Sequence, residues 1–140
     1  MNKRLPLLIV LLGFGLIGCA TPTNLALKGQ YVSQIDSEGT RIFITRNTGL
    51  RDSANAQTIS MDGVNYFRIK NQETVVFDEP KLGTRTICYI LQDAFLTLDN
   101  CIDVEVTKGE KLFFEAKWKS AMSPTIVFVK QTKEEFLSNN

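Results

Sequence analysis

Residues 84–91 read Thr-Arg-Thr-Ile-Cys-Tyr-Ile-Leu, and residues 101–106 read Cys-Ile-Asp-Val-Glu-Val. Both stretches are rich in β-formers, the composition of strands. Setting Cys88 opposite Cys101 in an antiparallel pair places Ile87 against Ile102 and Arg85 against Val104. One face then carries Ile87, Tyr89, Leu91, Ile102, Val104 and Val106. The other carries Thr84, Thr86, Cys88, Cys101, Asp103 and Glu105, with Ile90 the exception. An apolar face backed by a polar one is what a half-buried hairpin needs, and a slip of one residue would exchange the two. Cross-strand Cα atoms stand roughly 4.5–5.5 Å apart, within disulfide reach. The bridge is therefore expected on the outer or peripheral face of the sheet.

The same reading extends in both directions. Strands are expected at residues 41–46, 57–61, 65–69, 74–78, 112–119 and 125–130, with Asp62-Gly63 as a hairpin turn and Lys108-Gly109 as another. Pro80 to Gly83 breaks the chain before the cysteine hairpin. The tail, residues 132–138, reads as a short helix with Thr132 as cap and Glu134 and Glu135 in its first turn. Residues 29–40 are expected to form a loop or a weak first strand. Seven or eight short strands at regular spacing, with no long helices between them, indicate an all-β antiparallel sandwich or barrel and argue against a parallel α/β sheet.

The N-terminus carries a different signal. Lys3 and Arg4 precede an apolar stretch from Leu5 to Ile17, and Gly18 stands before Cys19. These are the parts of a secretory signal. Thirteen residues in a helix span about 20 Å, short of the roughly 30 Å hydrocarbon core. Leu16-Ile17-Gly18-Cys19 resembles the lipobox of bacterial lipoproteins. That resemblance implies cleavage between Gly18 and Cys19 and fatty acylation of Cys19, palmitate included. Ala20 in the next position resembles the outer-membrane sorting class. The expected organisation is a signal peptide over residues 1–18, a lipid-anchored tether and first loop over 19–40, and a β-sandwich domain over 41–140. The expected location is the outer membrane, on its periplasmic face.

Without residues 1–18 the chain keeps 122 residues, enough for one domain with a real core. Its 14 basic and 15 acidic residues leave a net charge near −1 and no basic stripe, so nucleic acid is not an expected partner. With Cys19 acylated, Cys88 and Cys101 remain. In an oxidising compartment they suggest one disulfide, the alternative being two buried thiols.

The order of segments resembles a group of bacterial lipoproteins of unknown function, related in pattern to PEGA-type surface β-domains. The resemblance covers roughly residues 41–130. It rests on Ile42 to Arg46, Gly49, Asp62-Gly63, Phe67 to Ile69, Pro80 to Gly83, Thr84 to Leu91 and Gly109 to Phe114. Here the compact Pro-Gly turn of that pattern is spread over four residues, and the His that often follows it is missing. The resemblance implies a transthyretin-like or immunoglobulin-like sandwich and an envelope role, with no catalytic residues to carry over.

Catalytic chemistry is hard to place on this chain. It has no histidine, which removes Ser-His-Asp and Cys-His catalysis and the usual zinc sites. Asp93, Asp99 and Asp103 cluster near the cysteine hairpin, but without the alternating ligands and central Gly of a calcium loop. No cofactor or metal is expected. Alternation places Leu112, Phe114, Ala116 and Trp118 on one strand face, so Trp118 reads as core; at a frayed end it would instead stack on a sugar or anchor a partner. Arg46 and Arg51, flanking the loop of residues 47–56, are the other expected elements of a binding surface. The expected role is non-enzymatic binding or scaffolding toward another envelope protein or peptidoglycan. The alternative is a periplasmic inhibitor of a lysozyme-like hydrolase.

Overall fold

The computed structural model describes residues 31–49, 55–92 and 97–139. Among these residues eight strands form two sheets. β1 (Arg41–Arg46), β4 (Thr74–Asp78), β7 (Lys111–Trp118) and β8 (Ile126–Gln131) make one, in the order β4-β1-β7-β8. β2 (Gln57–Met61), β3 (Val64–Ile69), β5 (Gly83–Gln92) and β6 (Thr97–Val106) make the other, in the order β3-β2-β5-β6. The main core lies between them. Ile42, Ile44, Leu112, Phe114 and Ala116 from the first sheet meet Ile59, Ile69, Ile87, Tyr89 and Val104 from the second. The chain is thus the expected β-sandwich. Two four-stranded sheets in this order differ from the immunoglobulin distribution of ABED and CFG strands.

The β5–β6 hairpin has the expected register: Cys88 pairs with Cys101, Ile87 with Ile102 and Arg85 with Val104. Both strands run further than the sequence indicated, to Gln92 and from Thr97. The disulfide joins Cys88 and Cys101 across a Cα separation of 4.0 Å, on the face away from the core. Between β2 and β3, Asp62 (φ 51°) and Gly63 (φ 80°) form the turn, because a two-residue hairpin loop needs positive φ at both central positions.

Not all pairing is antiparallel. β1 and β7 run parallel, with Ile42 beside Leu112 and Ile44 beside Phe114. Parallel neighbours need a long connection. Here it runs from β2 to β6, through the second sheet, back to the first as β4 and through the second again, before β7 returns beside β1 in the same direction. β1 and β7 are consequently buried on both faces, as central parallel strands are.

Their second face is covered by helices. Residues 31–36 are helical (α1), a correction to the expected loop or weak strand, and Lys133–Asn139 forms α2. Ile35, Phe43, Phe113 and Phe136 make a second buried cluster, with Tyr31, Val76 and Leu137 packed against it. Phe43 stacks on Phe113 with ring centroids 5.1 Å apart, and Phe136 lies 5.0 Å from Phe113. Tyr31 and Ile35, four residues apart, share the face of α1 that packs here, as helical spacing requires. The packed unit therefore takes in residues 31–40 as well as the strands. α2 opens with a capping box: Glu135 N–H donates to Thr132 Oγ1 (3.1 Å), and Thr132 N–H donates to Glu135 Oε2 (2.8 Å).

Candidate functional site

β3 and β4 end their respective sheets on the same side of the sandwich. What lies between them is decided by one irregularity. Along β2–β3, Ile59 pairs with Phe67 and Ser60 pairs with Asn65, so the register shifts at Tyr66. Strict alternation would send Tyr66 and Phe67 to opposite faces. A β-bulge bends the strand and re-aims a side chain. Here both rings reach Phe77 of β4, Tyr66 with centroids 5.3 Å apart and Phe67 with centroids 5.0 Å apart, each edge-on. Phe77 is 5% exposed, whereas Tyr66 is 55% exposed.

The three rings line a cleft of about 600 Å³, bounded also by Met61, Val64 and Val76. Val64, Tyr66 and the nearby Leu82 are among the largest exposed apolar side chains of the described residues. Asp62, Asp78, Glu79, Lys81 and Arg85 form the rim. Its carboxylates hold the fold. Asp62 accepts from Thr86 N–H and from Arg85 Nη1, both at 3.0 Å. Asp78 accepts from Arg41 Nε at 2.7 Å. Glu79 Oε1 accepts from Thr40 N–H at 2.9 Å, a closure that requires a glycine at Gly39, where a Cβ would collide with that oxygen and φ is +117°. An apolar pocket with a few polar groups at its mouth is the usual form of a binding site. It offers ring faces to an apolar group and a mixed-charge rim to polar ones.

The residues singled out from sequence do not gather here. Arg46 is no surface residue: it is 0% exposed. Alternation along β1 from Ile42 and Ile44 turns it inward. Its Nε donates to Thr48 Oγ1 (3.0 Å), and its Nη1 donates to Asn55 O (2.6 Å) and Ile69 O (3.0 Å). The guanidinium carbon lies 6.0 Å from the Tyr89 ring centroid. Arg46 thus ties β1 to β3 and to the end of the loop. Trp118, at the end of β7, is packed against the main core, as its alternation indicated, and β1 lies between its strand and the cleft strand β4 in the sheet. Gly18, Cys19, Arg51 and Asp93 lie outside the described residues. Asp103 accepts from Thr86 Oγ1 at 2.7 Å on the disulfide face, and among the described residues no cluster of three or more His, Cys, Asp or Glu is arranged to hold a metal.

Tyr66, Phe67 and Phe77 were not found by the sequence reading. One signal was available: adjacent aromatics in a short strand leave one ring on the wrong face unless a bulge intervenes. No family model, curated protein or solved structure matches the chain.

Proposed function

We propose that the chain is a lipid-anchored protein of the bacterial envelope that binds a partner, without catalysis, through the cleft between β3 and β4. The single observation that carries the binding role is the bulge at Tyr66, which spends an exposed aromatic ring on the wall of a cleft floored by Phe77. Acylation of Cys19 at the outer membrane would hold that cleft near a surface, where another envelope protein or peptidoglycan is within reach. One acyl chain binds a membrane only marginally, and two or more anchor it stably. The kinship with PEGA-type lipoproteins belongs to this proposal and rests on strand and turn signals. The β3–β4 cleft replaces the loop of residues 47–56 as the preferred contact, because Arg46 at its base is committed to the fold.

Two experiments separate the parts. Labelling with a fatty-acid analogue should mark the wild type and spare Cys19→Ser, which should leave the membrane fraction; unlabelled wild type would reject the anchor. Chemical crosslinking in intact cells should give complexes that Tyr66→Ala loses while its melting temperature stays near that of the wild type. Undiminished complexes from Tyr66→Ala would reject the cleft.

A further inference from the structure

β4 ends its sheet, so one of its edges meets β1 and the other is turned to the side where the cleft opens. The bonds at the ends of the β1–β4 pair fix which residues face which way. Arg46 N–H donates to Glu73 O, and Glu79 N–H donates to Thr40 O, both at 2.9 Å. In an antiparallel pair, hydrogen-bonded partners recur at every second residue. Glu73, Val75, Phe77 and Glu79 therefore direct their peptide groups to β1, and Thr74, Val76 and Asp78 direct theirs away from it. An independent contact marks the outward set: Tyr31 Oη reaches from α1 and donates to Thr74 O at 2.8 Å. Val76 and Asp78, the next two outward residues, line the cleft. Among the described residues no strand pairs with them on that side.

A row of outward N–H and C=O groups is a template for another extended chain. β3 across the cleft is a poor template, because the bulge at Tyr66 interrupts its ladder. Resting on the reading of the cleft as the binding site, we infer that its occupant is an extended polypeptide segment that adds to β4 as a fifth strand. Its backbone exchanges hydrogen bonds with Val76 and Asp78. Its alternate side chains point between the sheets, where Phe77, Tyr66 and Phe67 require them to be apolar. This is peptide recognition by strand addition, in which main-chain bonds supply affinity and a pocket for alternate residues supplies selectivity. A saccharide or a small apolar ligand would use the rings and leave the β4 amides untouched.

Val76→Pro tests this selectively. Proline removes the outward N–H and is tolerated on edge strands where that N–H faces solvent, so the bonds from Val75 and Phe77 to β1 stay. The probe is a displayed library of random linear 12-residue peptides, selected against the full chain in detergent and re-measured as synthetic peptides. Expected are peptides with alternating apolar residues that lose roughly tenfold or more in affinity on Val76→Pro and also lose on Tyr66→Ala. They should protect the Val76 and Asp78 amides of the wild type from hydrogen exchange, a readout that holds even if Val76→Pro misfolds. Peptides that weaken on Tyr66→Ala but bind Val76→Pro unchanged, without protecting those amides, would overturn strand addition and leave the cleft standing. Peptides indifferent to both substitutions, or no selected peptide at all, would overturn both.

Discussion

Arg46→Ala should destabilise the domain severely, although an arginine beside a polar loop looks expendable in the sequence. The side chain is fully buried and donates to Thr48 Oγ1, Asn55 O and Ile69 O. Truncation strands the buried Ile69 carbonyl, at a cost of about 1–3 kcal/mol, and frees the Asn55 carbonyl, which lies at the exposed end of the loop and loses less. Breaking a buried charged network by removing one member costs about 3–5 kcal/mol. The acceptors named here are neutral, and the variant no longer has to desolvate a guanidinium, so about 3 kcal/mol is the expected net loss. For a domain between the 60–100-residue and 150–250-residue classes each kcal/mol moves Tm by about 3–6 °C, so a fall of roughly 10–20 °C is expected. Urea and thermal unfolding followed by circular dichroism measure it. Arg68→Ala is the control: Arg68 donates to Ala56 O from an exposed position, and its loss should stay within about 0.5 kcal/mol. If Arg46→Ala melts within a few degrees of the wild type, the buried placement of Arg46 is wrong and the loop it anchors becomes a candidate contact surface again.

Replacing Cys88 and Cys101 by serine should lower unfolding stability by about 3 kcal/mol, read as a shift in urea midpoint, while the apolar face of β5–β6 keeps the hairpin in register; a loss of β-structure at low temperature would show that the bridge sets the register. Burial first, and then Glu73, raise the pKa of the Tyr31 phenol. The neutral phenol is therefore favoured in the folded state, and its contribution is complete below the ordinary tyrosine value of about 10 and lost as pH rises through the raised one. Tyr31→Phe should cost about 1 kcal/mol at pH 8 through the lost bond to Thr74 O, and should lose less than the wild type on going to alkaline pH. Equal alkaline losses would contradict the assignment. Thr132→Ala should cost about 1 kcal/mol, seen as earlier fraying of the α2 amides in hydrogen exchange; unchanged exchange would mean that the capping box does not hold α2.

How much of this was legible depended on whether the pattern was local. The β5–β6 register followed from eight or so alternating residues because one face had to be apolar, and the disulfide side followed with it. Trp118 fell into the core for the same reason. α1 was missed because the polar residues and two glycines of residues 29–40 read as a loop; Tyr31 and Ile35, four apart, marked it. The parallel β1–β7 pair is a property of the path of the chain, which alternation does not encode. Arg46 was misplaced because its charge was weighed above its position, two residues after Ile44 on the inward face. The cleft was illegible for a stronger reason. It needs a bulge in β3 and the meeting of Tyr66 and Phe67 with Phe77, about ten residues further on in another sheet.

Photocrosslinking from single positions in living cells tests the cleft most directly. A photoreactive side chain in place of Tyr66 should yield a discrete adduct with an envelope component, and the same group in place of Thr86, on the disulfide face, should yield none. Adducts from position 86 with none from position 66 would contradict the account.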